Sequence, residues 1–341
     1  MRQSRSIAIK AGLYVLTMAV IVYVVVFMNT PYMINQPGTA EEVKPIVSVK
    51  SGDTEEKGAF MLTTVSVSYA NLWMLATSPF NKDAEVVRKE PDRNDKEYET
   101  QQRYYMSSSQ SSAVMAAYRK AGVKYDVVSQ YVFIVGLSKE SEPKGSFQSG
   151  DIIRQVNGQP VKRFEDLAPL LQGKKPGDVV PVQLSRSGKT VEEQVELVQI
   201  VDAEGARKAG LGVSVGEVLK VEAADKTKEV TFADTEIGGP SAGLMFTLEI
   251  YNQLTPGDLT KGHRIAGTGT ISEDGTVGPI GGVQFKIVAA ERKKAEIFFV
   301  PEANYKEARA KAEEIGSKME LVPVQKLDDA LNYLQALKLS D

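Results

Sequence analysis

The sequence predicts an α+β chain led by a membrane-spanning helix. Three features predict it: an uncharged apolar run close to the N-terminus, a middle section of short strands broken at near-regular intervals by turn residues, and alternating strand and helix patterns from Val201 onward. The chain has 341 residues, 42% of them hydrophobic, which suits about two globular domains and smaller extras.

The first element is the run AGLYVLTMAVIVYVVVFM, Ala11 to Met28, which carries no charge. A bilayer core needs about 20 apolar helical residues at ~1.5 Å each, so residues 11–28 read as a span. Arg2, Arg5 and Lys10 precede it, and the first charge after it is Glu41. The positive-inside rule then places residues 1–10 in the cytoplasm and everything later outside it, as a single-pass protein of the cell membrane. A cleaved signal peptide is the competing reading. Signal cores are shorter, and MNTPYMINQPG lacks a small-residue cleavage pattern, so an uncleaved anchor is favoured.

Residues 29–122 read as a turn-rich connector (INQPGTAEEV), two extended segments rich in β-branched residues (VKPIVSV and GAFMLTTVSVSY), and one or two helices with a solvated face after Pro91. Residues 123–200 form the middle section: VFIVGL, GDIIRQVNG, a helical FEDLAPLLQ, VVPVQLSRSG and VEEQVELV. Ser149-Gly150-Asp151, Asn157-Gly158 and Pro176-Gly177-Asp178 supply its tight reversals. Residues 201–341 return to helix and strand, ending strand, helix, short strand, helix.

Composition narrows the chemistry. With 41 basic and 44 acidic residues well mixed, no basic surface points to nucleic acid. There is no cysteine and one histidine, His263, which argues against metal centres and thiol catalysis, and no cofactor is expected. His263 lies in the turn-like TKGHRIAG and reads as an exposed loop residue, so any serine hydrolase here needs another base.

The stretch IGGPSAGLMF, Ile237 to Phe246, opens a helix that is apolar nearly all round, with Glu249 its one charge as far as Leu254. Ser241 can be read as a helix cap or as a nucleophile at the helix mouth. The glycines and Pro240 allow free N–H groups near Gly239 and Ala242 to face a bound carbonyl. In a second helix, VQFKIVAAERKK, Val283, Ile287 and Ala290 share one face and Lys286 falls within it. A lysine among inward-facing apolar residues either snorkels to the surface or is held neutral. Burial lowering its pKa from ~10.4 to roughly 7–8 would make Lys286 a base for Ser241.

Two resemblances follow from these motifs. The segment GSFQSGDIIRQVNGQPVKRFEDLAPLLQ resembles the PDZ domains of bacterial membrane and periplasmic proteases. The resemblance implies capture of an extended peptide or a C-terminus by strand addition, with Tyr131, Val132, Phe133 and Ile134 as the pairing strand and Phe164 to Leu170 bordering the groove. Its loop departs from the commonest Gly-Leu-Gly-Phe form. The alternative is a domain that only packs against its neighbour.

The combination GGPSAG, then GTGTISEDGTVGPIGG, then a lysine four residues past the last glycine resembles the proteolytic domain of Lon proteases, from about Ala206 to the C-terminus. That resemblance implies Ser241 and Lys286 as the catalytic dyad and Thr268 as a supporting residue. It also implies that strands near Ala59 to Tyr69 complete the protease domain, that the PDZ is an insertion, and that self-association accompanies the fold. Gly238 stands where many Lon proteases have an acidic residue. The one near-match to a P-loop, Gly188-Lys189-Thr190, has Gln183 in place of the first glycine. The sequence therefore predicts an ATP-independent, membrane-anchored serine endopeptidase acting on extracytoplasmic or membrane-tethered polypeptides. A peptide-binding scaffold with an inactive protease fold is the rival.

Overall fold

The structure, a computed structural model, describes residues 2–90, 93–201 and 205–340. Helix α1 (Arg2–Phe27) is followed by strands β1 (Asn29–Glu42), β2 (Val47–Val49) and β3 (Ala59–Asn71), a short helix α2 (Leu72–Thr77), strand β4 (Glu85–Arg88) and the long helix α3 (Asp95–Ala121). Next come β5 (Tyr125–Leu137), β6 (Ile152–Val156), β7 (Gln159–Pro160), the one-turn α4 (Leu167–Leu170), β8 (Val179–Arg186), β9 (Lys189–Glu196), β10 (Val198–Val201), β11 (Arg207–Gly210), β12 (Val213–Ala223) and β13 (Val230–Phe232). The remainder runs α5 (Gly243–Leu254), β14 (Arg264–Gly267), β15 (Thr270–Ile271), β16 (Val277–Gly278), α6 (Val283–Arg292), β17 (Ile297–Pro301), α7 (Glu302–Glu314), β18 (Glu320–Val324) and α8 (Leu327–Ala336).

The larger body is built on a sheet of order β18-β17-β14-β3-β1-β4. Its first four strands are parallel, and β1 runs antiparallel to both β3 and β4. Side chains of the central strands alternate between two cores, as the two-residue period of a strand requires. Phe60, Leu62, Ile265, Ile297 and Phe299 face a core shared with α3, α5 and α8. Met61, Ala266, Phe298 and Val300 face a second core with Val283, Ile287 and Ala290 of α6 and Ala308 and Ala312 of α7. Helices therefore cover both faces. Complete burial of side chains such as Phe60, Phe298 and Phe299 stabilises the sandwich by roughly 1.5–3 kcal/mol each.

Because β1, β3 and β4 precede the middle section in sequence yet share this sheet with β14, β17 and β18, the PDZ-like section is an insertion. The supposed connector INQPGTAEEV is part of strand β1 instead. Pro37 and Gly38 are accommodated by a register shift between Pro37 and Ala40, a bulge where a missing N–H does no harm. A side chain at Gly38 would lie 2.3 Å from Thr64 Oγ1, so the close approach of β3 requires glycine there.

The inserted section forms a second sheet, β12-β5-β6-β8-β9, with β7 added to β6. Val132, Ile134, Ile153, Val182, Leu184 and Val195 make its core, closed by Leu167 and Leu170. Strands β5 and β12 are long enough to belong to both bodies. Val132, Ile134, Val213 and Val215 pack in the insertion's core, whereas Tyr125, Val221 and Ala223 pack in the larger one. This antiparallel ribbon runs across the limit at residue 201 that the sequence suggested.

Helix α3 braces the two bodies. Asn94 caps it by accepting from the Lys96 and Glu97 amides, and Gly122 ends it at φ 67°, the left-handed conformation a C-terminal glycine supplies without strain. The charged stretch after Asn94 thus forms one helix of 27 residues. Toward its start, Tyr104 meets Phe133 edge-on at 5.4 Å, and a side chain at Gly216 would lie 3.0 Å from Tyr104. Farther along, Ala113, Val114 and Ala117 enter the α5 core.

Candidate active site

Ser241, in the turn just before α5, and Lys286, on α6, come from opposite faces of the sheet, and they meet where the sheet ends. Strand β14 stops at Gly267, paired with Leu62 of β3, so Thr268 and Thr63 stand just past the C-terminal end of this parallel pair. In open α/β sheets this end is where functional groups from both sides converge.

Lys286 Nζ lies 2.8 Å from Ser241 Oγ, 3.1 Å from Thr268 Oγ1 and 2.9 Å from the Thr63 carbonyl oxygen. The lysine is 3% exposed, and no carboxylate pairs with it among the described residues. Burial alone pulls its pKa down from 10.5 to about 7, because the ammonium loses its hydration without gaining a counter-ion. A neutral amine has two N–H donors and one lone pair. Donating to Thr63 O and Thr268 Oγ1 leaves the lone pair for the Ser241 hydroxyl. Thr268 Oγ1 accepts from the amine and donates to the Ser241 carbonyl at 3.0 Å, an allocation in which each hydroxyl and amine proton has one acceptor.

The Ser241 loop is held from two sides. The Ser241 carbonyl also accepts the Gly269 amide at 2.8 Å, and the Leu244 amide returns to the Gly269 carbonyl at 3.1 Å. From α3, Ser109 Oγ donates to the Pro240 carbonyl at 3.0 Å, and the Gln102 carbonyl accepts the Gly239 amide at 3.0 Å. Gly239 sits at φ 87°, where a β-carbon would be strained. Lys286 is aimed by the start of α6. Asn304 of α7 accepts the Ile280 amide and donates to the Ile280 carbonyl, both at 2.9 Å, which fixes the PIGG turn ahead of the helix.

Several expectations change against this geometry. The N-cap of α5 is Ala242 and makes no side-chain cap; the Ser241 hydroxyl turns to Lys286 instead. The Gly239 amide, expected to face a substrate carbonyl, is spent on Gln102 because the left-handed turn points it at α3. Among the described residues, the amides of Ser241 and Ala242 have no hydrogen-bond partner, and they flank the hydroxyl. His263 does lie in a loop, but it is partly buried rather than exposed, its Nδ1 2.5 Å from Glu296 and its Nε2 3.1 Å from the Lys338 carbonyl. Among the described residues no group of three or more His, Asp or Glu side chains is arranged to hold a metal ion.

In the insertion, Tyr131, Val132, Phe133 and Ile134 cannot accept an added strand. Strand β5 is interior: Val132 pairs with Glu217 on one side and Ile153 on the other, and Phe133 with Gly216 and Ile152. The edge strand is β12, the terminal strand of the sheet, of which the Leu219 carbonyl is taken by Ser111 of α3. It follows Gly210-Leu211-Gly212, passes close to the turn Phe164–Asp166, and begins at Val213. This Gly-Leu-Gly-Val sequence was the legible signal, hidden because it lies beyond residue 200.

Comparison with known proteins agrees with both motifs. The Lon protease (S16) C-terminal proteolytic domain matches residues 212–337, and the PDZ domain matches residues 114–197. Lon protease of Trichlorobacter lovleyi is 37% identical over 93 residues, 27% of this chain and 11% of that one. Lon protease of Vibrio parahaemolyticus is 28% identical over 166 residues, 49% of this chain and 20% of that one. The alignments thus span between about a tenth and a fifth of these relatives' length. Among solved structures, the PDZ domain of an SdrC-like protein from Listeria monocytogenes matches at 21% identity and a TM-score of 0.22, covering 25% of this chain and 86% of that one. Its counterpart from Listeria innocua matches at 24% identity and the same TM-score, covering 25% and 93%. The chain carries a Lon-type C-terminal proteolytic domain together with a PDZ domain.

Proposed function

We propose that this protein is an ATP-independent serine endopeptidase, anchored in the membrane by α1, in which Lys286 serves as general base for Ser241. The observation that carries this reading is the buried amine 2.8 Å from the Ser241 hydroxyl, its pKa lowered to about 7. A base poised near the working pH combines a useful neutral fraction with proton affinity.

In this mechanism Lys286 takes the hydroxyl proton as Ser241 Oγ bonds to the peptide carbonyl carbon. The carbonyl oxygen becomes an oxyanion, and the unpartnered amides of Ser241 and Ala242 are the donors at hand for it. Lysinium then protonates the departing amine as the C–N bond breaks, leaving an acyl ester on Ser241. Water, giving its proton to Lys286, hydrolyses the ester and restores the hydroxyl. Thr268 keeps the amine aimed, and ATP has no part in any step.

The β12 edge supports capture of an extended polypeptide segment, with the exposed Phe164 on the rim. The segment Lys10–Phe27 supports the anchor, being apolar, long enough to span and unburied by the rest of the chain. The basic residues before it support an extracytoplasmic site and substrates outside the cytoplasm. The test is turnover of an unfolded polypeptide by the wild type, Ser241→Ala and Lys286→Ala proteins, together with labelling by a serine-reactive electrophile. Both variants should lose turnover and Ser241→Ala should lose the label; turnover surviving either change overturns the reading.

A further inference from the structure

The chain leaves α1 at Phe27 and returns to it. Asn71, at the end of β3, donates its side-chain amide to the Val26 carbonyl at 2.6 Å, and Thr30 donates to the Ala70 carbonyl at 2.6 Å. Helix α2 then packs against α1, yet none of its residues is buried. Leu72 is 45% exposed, Trp73 60% and, just beyond the helix, Phe80 89%. Although α2 rests on α1 and β3, the outer apolar side chains Leu72 and Trp73 have no protein surface covering them.

The surrounding sequence has no charge at all from Met28 to Ala40 or from Ala59 to Asn81. Charge resumes at Lys82 and Asp83, and Asp83 is drawn onto the protein body by Lys311 at 2.9 Å. Two charge-free segments that abut the end of a span and carry tryptophan and phenylalanine, bordered by Arg88 beside Tyr32 and Lys89 against Tyr69, have the chemistry of the bilayer interface, where amphipathic aromatic rings and basic side chains are favoured. We infer that Leu72, Trp73 and Phe80 form a lipid-docking face that inserts into the bilayer interface beside α1 and holds the protease body against the membrane. The inference rests on the reading of α1 as a membrane span.

Trp73 is the chain's single tryptophan, so intrinsic fluorescence reports this face alone. The full chain is reconstituted in phosphatidylcholine–phosphatidylglycerol vesicles whose lipids are brominated either near the headgroup or deep in the acyl chain. The expected result is loss of Trp73 emission with shallow bromolipid, less loss with deep bromolipid, and a blue shift relative to the chain in denaturant. A Val20→Trp, Trp73→Phe variant reports the span separately and should be quenched most by deep bromolipid. Quenching at position 20 without quenching of Trp73 overturns the docking face while the span stands. Trp73 shielded from aqueous quencher but untouched by bromolipid means that a second protein surface covers the patch, and also overturns it. Trp73 quenched without position 20 removes the span and with it a face docked beside α1; quenching at neither position also removes both.

Discussion

Ser109 Oγ donates to the Pro240 carbonyl at 3.0 Å, tying helix α3 to the peptide unit immediately before Ser241. The same helix touches the PDZ ribbon through Tyr104, so one rigid element contacts both the Ser241 loop and the inserted domain. Ser109→Ala should lower kcat a few-fold to about tenfold, the ~0.5–1.5 kcal/mol of one neutral hydrogen bond, with KM little changed. Its pH profile should keep the wild-type midpoint, because Lys286 is untouched. A shifted midpoint would show that Ser109 acts on the amine rather than on the loop.

Lys286 sets the expected pH dependence. The rate constant kcat/KM should rise about tenfold per pH unit below pH 7 and level off above about 7 as the amine loses its proton. Lys286→Arg should be inactive at every pH, since a guanidinium keeps its proton. Stability follows the same group. Between about 7 and 10.5 the unfolded chain holds one more proton than the native one, so the unfolding free energy should rise with pH there, and Lys286→Met should abolish that slope. Urea titrations at a series of pH values measure it.

Glu249, fully buried in α5, should give the opposite slope. Its Oε1 accepts from Gln253 at 2.6 Å while Oε2 has no partner, and burial pushes the carboxyl up to about 7. Between about 4.5 and 7 the native state holds the extra proton, so this contribution to stability is present at low pH and is lost as pH rises through 7. Glu249→Gln should therefore stabilise the protein at pH 8 by roughly 3 kcal/mol, the shift from 4.5 to about 7 taken at ~1.36 kcal/mol per pKa unit, and hardly at all at pH 4. The activity profile measured in this variant separates the Lys286 titration from that of Glu249.

Gly216 tests the brace between the bodies. A β-carbon there would come 2.8 Å from Val135 Cγ2 and 3.0 Å from both Phe133 Cε1 and Tyr104 Cε2. Gly216→Val should destabilise the protein by about 1–3 kcal/mol through overpacking. Hydrogen exchange should rise in the first half of α3, while hydrolysis of a short peptide survives better than that of a long polypeptide. Equal loss for both substrates would mean that the brace serves the dyad directly.

Much of the molecule was legible along the chain because the governing patterns are local. The charge-free run to Met28, the β-branched residues of GAFMLTTVSVSY, and a lysine placed between Val283 and Ile287 each follow from period and composition. The sequence by itself therefore determined the apolar helix, the strands on either side of the insertion, and the candidate side chains Ser241, Thr268 and Lys286. What only the tertiary structure decided is how polar groups are shared among elements distant in sequence. The Ser241 hydroxyl faces Lys286 instead of capping α5, the Gly239 amide is committed to Gln102, and Tyr131 to Ile134 is walled in by β12 and β6. Each of these depends on one donor meeting one acceptor brought near by packing, and a buried polar group takes whichever partner the fold places within reach.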